Sequence, residues 1–159
     1  MGLDMYLRAS AYVSRNDYSQ DEILENPLFA EIVKQFNVED SIDKTGFAGI
    51  SIDFPMGYWR KANQIHNWFV TFVQDGEDNC GQYYVGRDQL EDLAKTCQKV
   101  LADHSKAEEL LPTGAGFFFG STEYDEWYMQ DINHTAERLD KILKDPALAK
   151  CDFYYQSSW

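Results

Sequence analysis

At 159 residues and 18.4 kDa, the chain matches one domain of ordinary size, long enough to bury a core without staples. Hydrophobic residues make up 44% and aromatics 15%, which excludes an intrinsically disordered chain. With 27 acidic against 14 basic residues the formal charge is -13, which opposes direct binding to nucleic acid, where a basic surface must displace counterions. Such a charge suits solubility, or a basic partner such as a protein that itself grips DNA.

In chain order, "LDMYLRASAYV" alternates, with Leu3, Met5 and Leu7 on one face, and predicts a strand. "SRNDYSQDE" reads as a polar loop. "NPLFAEIVKQF" opens with a capping Asn26 and Pro27 at the first helical position, and predicts a helix that buries Leu28, Ile32 and Phe36. "GFAGISIDF" predicts a strand with Ile50, Ile52 and Phe54 on one face, ended by Pro55. A helix is expected from about Tyr58 to Gln74, with Tyr58, Ile65, Trp68, Phe69 and Phe72 inward. "QYYVG" reads as a short strand. Arg87 to about His104 reads as a second amphipathic helix, with Leu90, Leu93, Cys97, Val100 and Leu101 along its stripe and Asp88 near its N-terminus. After the loop "LLPTGAG" and the Gly-bounded aromatic run "GFFFGS", a long helix is expected over Thr122–Lys144, and "CDFYYQSSW" as a strand.

This rough β-α-β-α-β-α-β alternation predicts an α/β or α+β fold. Period-two patterning in the strands favours a mixed or largely antiparallel sheet, with about four amphipathic helices packed on it. Both chain ends read as strands that can pair. No repeat, low-complexity tract or linker interrupts residues 1–159, so a single globular domain is expected. Cys80, Cys97 and Cys151 are odd in number and lack CxxC spacing, which points to a reducing cytosol. "MGLDMYLRAS" has neither a basic leader with an apolar core nor the Ser or Thr of a myristoylation motif, and no apolar run spans a membrane.

Two segments carry candidate chemistry. On the expected 58–74 helix, Arg60, Asn63 and Asn67 fall at i, i+3 and i+7 and would share one stripe. A guanidinium with two amides suits a phosphate, a base edge or a backbone segment; a solvated face is the competing account. His66 lies on the flank of that stripe, either as an acid–base group or as a half-buried histidine satisfied by one hydrogen bond. The second segment is "GFFFGSTEYDEWY". Ser121 or Thr122 can cap the helix, and Glu123, Asp125 and Glu126 bring negative charge to its first turn. These acids, with Tyr124, suit a ribose hydroxyl, an amine or an Arg side chain better than a phosphate. Phe117, Phe118, Phe119, Tyr124 and Trp127 either stack a base or pack a core.

Enzyme signatures are missing: there is no GxGxxG, P-loop, GxSxG or HExxH, so no catalytic residue and no cofactor is assigned. His66, His104 and His134 lack metal-ligand spacing, and no metal is expected. A calcium-loop frame from Asp75 would need a carboxylate at position 86, which is Gly86.

Four blocks stand in order along the chain: "MGLDMYL", "YWRKANQIHNWFV", "LLPTGAGFFFGSTEYDEWY" and "DFYYQSSW". They resemble a family of small proteins encoded by tailed bacteriophages and prophages, one that brings no fold, ligand or catalytic residues with it. The resemblance implies an accessory protein acting on the bacterial host, in the cytoplasm of the infected cell. Joined to the candidate residues, it gives a counter-defence binder that sequesters a small nucleotide-like ligand without turnover. Two alternatives stay open: an acidic interaction protein that occupies a host nucleic-acid-binding protein, and a nucleotide-acting enzyme using His66. Self-association is also left open.

Overall fold

The computed structural model describes every residue except Met1, Gln20, residues 44–47 and Phe118. In chain order the elements are β1 (Asp4–Ser14), β2 (Asn16–Asp17), β3 (Leu24–Glu25), α1 (Pro27–Phe36), β4 (Gly49–Arg60), α2 (Asn63–Phe72), β5 (Gln82–Val85), α3 (Arg87–Ala102), α4 (Ala107–Leu110), α5 (Glu126–Lys144) and β6 (Asp152–Ser158). The fold is α+β. Its four-stranded antiparallel sheet has the order β4-β1-β6-β5, and β2 and β3 pair separately. The strands expected at the two chain ends are neighbours in this sheet. The chain packs as two compact units: residues up to Ala9 with Phe54–Trp159, and Ser10–Asp53. The boundaries fall inside β1 and β4 and not at a linker.

In the larger unit, β1 turns Met5, Leu7 and Ala9 into the core, and Leu3 just before it continues the same alternation; each is fully buried, because a strand sends alternate side chains to one face. β6 does the same with Phe153 and Tyr155, and β5 pairs with it so that Val85 faces Phe153 and Tyr83 faces Tyr155. α3 buries Leu90, Leu93, Cys97 and Val100 against α5, which contributes Ile132, Thr135, Leu139 and Ile142. Leu101 is only partly buried at the edge of that stripe. Both helices meet the core through residues three or four apart, the spacing of one helical face.

Three expected boundaries move. Tyr58, Trp59 and Arg60 belong to β4, and the helix begins only at Asn63. Tyr58 and Phe72 are exposed, whereas Trp59 is buried and donates from Nε1 to Thr135 Oγ1 at 2.8 Å. An aromatic run satisfies strand and helix periods equally, and this buried hydrogen bond to α5 decides for the strand. Pro55 does not end the strand either, because β4 lies at the sheet edge, where a missing N–H costs no ladder bond. Finally, α5 starts at Glu126, capped by Asp125 through Tyr128 N–H at 3.0 Å, so neither Ser121 nor Thr122 is its cap. Of the acids expected in the first turn, only Glu126 lies there.

The smaller unit differs. Its cluster buries Val13, Phe29 and Val33, with Ile32, Ile42, Ile50 and Ile52 partly covered. Asn26 caps α1 as expected, its side chain accepting from Leu28 N–H at 3.0 Å. The expected inward stripe is wrong, however: Leu28 is 54% and Phe36 75% exposed. Five apolar residues on two adjacent columns leave the inward column undetermined by spacing, and Val13 selects Phe29 and Val33. The start of the strand expected from Gly46 lies outside the described residues.

Candidate functional site

The turn between β4 and α2 organises the candidate residues. Lys61 adopts φ 60°, an uncommon left-handed conformation for a side chain other than glycine, and its N–H donates to Leu3 O at 2.8 Å. That turn reverses the chain at once, so Arg60 remains on the strand while Asn63 opens the helix. Gly120 approaches it closely: with φ 92°, an added Cβ would stand 3.0 Å from Lys61 Cβ and 3.2 Å from Lys61 O. Only glycine accommodates both demands.

Asn63 is buried and holds the loop over residues 111–122. Its Nδ2 donates to Phe119 O at 3.0 Å and to Ser121 O at 2.8 Å, and its Oδ1 accepts from Gly114 N–H at 2.9 Å. Three bonds nearly exhaust the capacity of one amide, so Asn63 positions the loop and has little left for a ligand. Asn67 is half-buried, its Nδ2 3.5 Å from Pro112 O. Arg60, Asn63 and Asn67 therefore do not share one stripe, because Arg60 precedes the helix.

His66 is buried, and both ring nitrogens are engaged. Nδ1 lies 2.7 Å from Tyr155 Oη and Nε2 3.0 Å from Asp78 Oδ1, which also accepts from Trp159 Nε1 at 3.2 Å. Burial raises the Tyr155 phenol well above its ordinary value, so the hydroxyl stays protonated and donates to Nδ1. Nε2–H then donates to Asp78. Burial lowers the His66 imidazole below its ordinary 6.5, against the opposing pull of the Asp78 carboxylate, which fits this neutral form. The Phe119 ring meets the imidazole edge-on at 5.3 Å, and Phe69 stacks on Tyr155 at 3.9 Å. Sequence anticipated one hydrogen bond for a half-buried His66; the ring is fully enclosed and has two.

Outside this buried cluster lies a concavity of about 320 Å³ lined by Arg60, Lys61, Gln64, Glu123, Asp125, Trp127 and Asp131, with Ser121 and Gly120 at its edge. Among the described residues Arg60 and Lys61 make no ion pair. The Trp127 indole is 73% exposed. Asp131 accepts from Gln64 Nε2 at 3.3 Å; its partial burial raises the carboxyl above its ordinary 3.8, with the neighbouring Asp125 adding to the effect. Of the residues singled out in sequence, Arg60, Ser121, Glu123 and Asp125 meet here. Asn63 and His66 lie in the buried cluster, and Asn67 lines a different hollow beside Pro112. Thr122 and Tyr124 are tied to Thr113, which donates from Oγ1 to Thr122 O and from its N–H to Tyr124 Oη.

Lys61, Gln64 and Asp131 are the additions that sequence reasoning missed. Trp127 and Asp131 fall four residues apart on one helix, a spacing that could have paired them. Gln64 and Lys61 carried no such signal, since the turn that aims them depends on an unusual φ. Phe117 is exposed, Phe119 packs against His66 and Trp159, and Phe118 lies outside the described residues. Another hollow, about 410 Å³, includes Tyr6, Arg8, Tyr58 and Arg138, but its Arg8 is already held by Gln156 Oε1 at 3.0 Å and by the Tyr6 ring. Among the described residues no group of three His, Cys, Asp or Glu could hold a metal, and no helix is long and apolar enough to cross a membrane.

Comparison with protein-family models, with curated proteins and with solved structures returned no match.

Proposed function

We propose that this chain is a binding protein whose Arg60–Trp127 concavity captures a small nucleotide-like molecule and does not turn it over. One observation carries the reading. A single hollow of ligand size brings together two cations without an ion pair among the described residues, an exposed indole and carboxylates. Each matches a different part of a nucleotide: Arg60 and Lys61 a phosphate, Trp127 the base, and Glu123 or Asp131 a ribose hydroxyl or an exocyclic amine. A bare phosphate fits less well, since the acids would repel it. Capture is favoured over turnover because His66, the acid–base candidate the sequence offered, is enclosed with both nitrogens committed. The resemblance adds the setting, an accessory protein that removes a host defence signal in the infected bacterial cytoplasm.

Isothermal titration against a panel of cyclic and ADP-ribose-type nucleotides tests the proposal. Binding by at least one, lost in Arg60→Ala and weakened in Trp127→Ala, with ligand mass unchanged after incubation, is expected. Silence across the panel overturns capture. Loss of ligand mass that depends on His66 overturns the absence of turnover.

A further inference from the structure

The unit Ser10–Asp53 leaves more large apolar side chains exposed than it buries among its described residues. Three apolar side chains are buried there among the described residues, while Ile23, Leu24, Leu28 and Phe36 are each more than half exposed. α1 is the reason: its Phe29–Val33 column packs with Val13, while Leu28 and Phe36 on its other column are exposed. Beside that column runs an apolar trough of about 350 Å³, including Ile32, Phe36, Val38 and Ile50. It shares Phe29, Val33 and Ile42 with a second hollow of about 260 Å³, which Glu25, Glu39 and Arg15 also line. The apolar strip therefore leads into a mainly acidic end.

Charge identifies the occupant. Residues 10–53 hold nine acidic side chains against three basic ones, -6 of the chain's -13. A second copy of the chain would bring the same excess of acid to the face, and an anionic lipid surface would be repelled likewise. What complements an apolar strip with acidic flanks is an amphipathic helix with a basic edge, laid in the groove by residues three and four apart. We infer that this face is a docking surface for a basic, amphipathic segment of a partner protein. The surface does not depend on the nucleotide reading, because it uses none of those residues.

The probe is a fluorescein-labelled Leu/Lys helix of about 18 residues, five turns long. Its controls are a scrambled peptide of the same composition, a Leu/Glu analogue, anionic vesicles, and sedimentation of the chain alone. The Leu/Lys helix is expected to bind, with weaker binding at higher salt and amide NMR shifts confined to residues 23–50. Phe36→Ser should weaken it about tenfold or more, the scale of a single interfacial aromatic. Since Phe36 is exposed, this variant should keep its circular dichroism and its nucleotide titration unchanged. Glu25→Gln combined with Glu39→Gln should flatten the salt dependence. Equal binding of the scrambled peptide, indifference to Phe36→Ser, vesicle binding, or a dimer that Phe36→Ser dissolves would each overturn the inference.

Discussion

The two units obey the same packing rules with opposite results. The larger encloses 24 apolar residues and then spends polar groups inside: Asn63, His66, Tyr155 and Thr135 are buried and hydrogen-bonded. The smaller encloses three and buries no polar side chain among its described residues. A buried amide or imidazole stabilises only where the surrounding core is large enough to hold its partners in place. The larger unit can therefore specify a site to within a hydrogen bond, whereas the smaller presents an exposed apolar face.

Truncations in the two cores give the sharpest contrast. Leu93→Ala, at a fully buried position between α3 and α5, should cost about 2–5 kcal/mol of global stability in urea unfolding. Phe29→Ala should instead speed amide exchange within residues 10–53 and leave the protection of α3 and α5 intact. If both variants lower protection everywhere equally, the two units are one cooperative body and the contrast fails. Asn63→Ala removes three hydrogen bonds at once and strands two carbonyls and an N–H, so about 2 kcal/mol should be lost. Faster exchange is expected at Gly114, and weaker nucleotide binding should follow as Gly120 and Ser121 loosen.

A pH titration sharpens the comparison further. The His66 pKa is lowered in the folded chain, so between that value and 6.5 the unfolded chain binds a proton that the folded chain does not. Stability contributed by neutral His66 is complete above about 6.5 and declines as pH falls through that window. In His66→Gln the corresponding slope of unfolding free energy between pH 5 and 7 should flatten. An unchanged slope would mean that the imidazole is not held neutral. The smallest effect belongs to the surface pair Lys95–Glu91, at 3.7 Å with both side chains at least half exposed: Lys95→Ala should change stability by under about 0.5 kcal/mol.

Much of the scaffold was legible in the residues. The β1 alternation, the capping Asn26, the α3 stripe and the closing strand all follow from local periodicity and cap chemistry, and they stand where those rules put them. The β4–α2 junction was not legible, because Trp59 chooses a strand only through Thr135, 76 positions away. The candidate site was legible in part. Arg60, Ser121, Glu123 and Asp125 were visible as chemistry, yet the turn at Lys61 and the approach of Gly120 decide which of them meet. The inward column of α1 was not readable, since two apolar columns compete and only Val13 breaks the tie.

β6 lies between β1 and β5, and Arg8 reaches Gln156 across 148 positions. Contacts that distant in sequence carry the largest loop-closure cost and so form late. During synthesis, residues 10–53 emerge and can settle locally while the sheet still lacks its inner strand. The docking face would then be available to a partner before the Asp78–His66–Tyr155 cluster exists, since Tyr155 arrives only with β6.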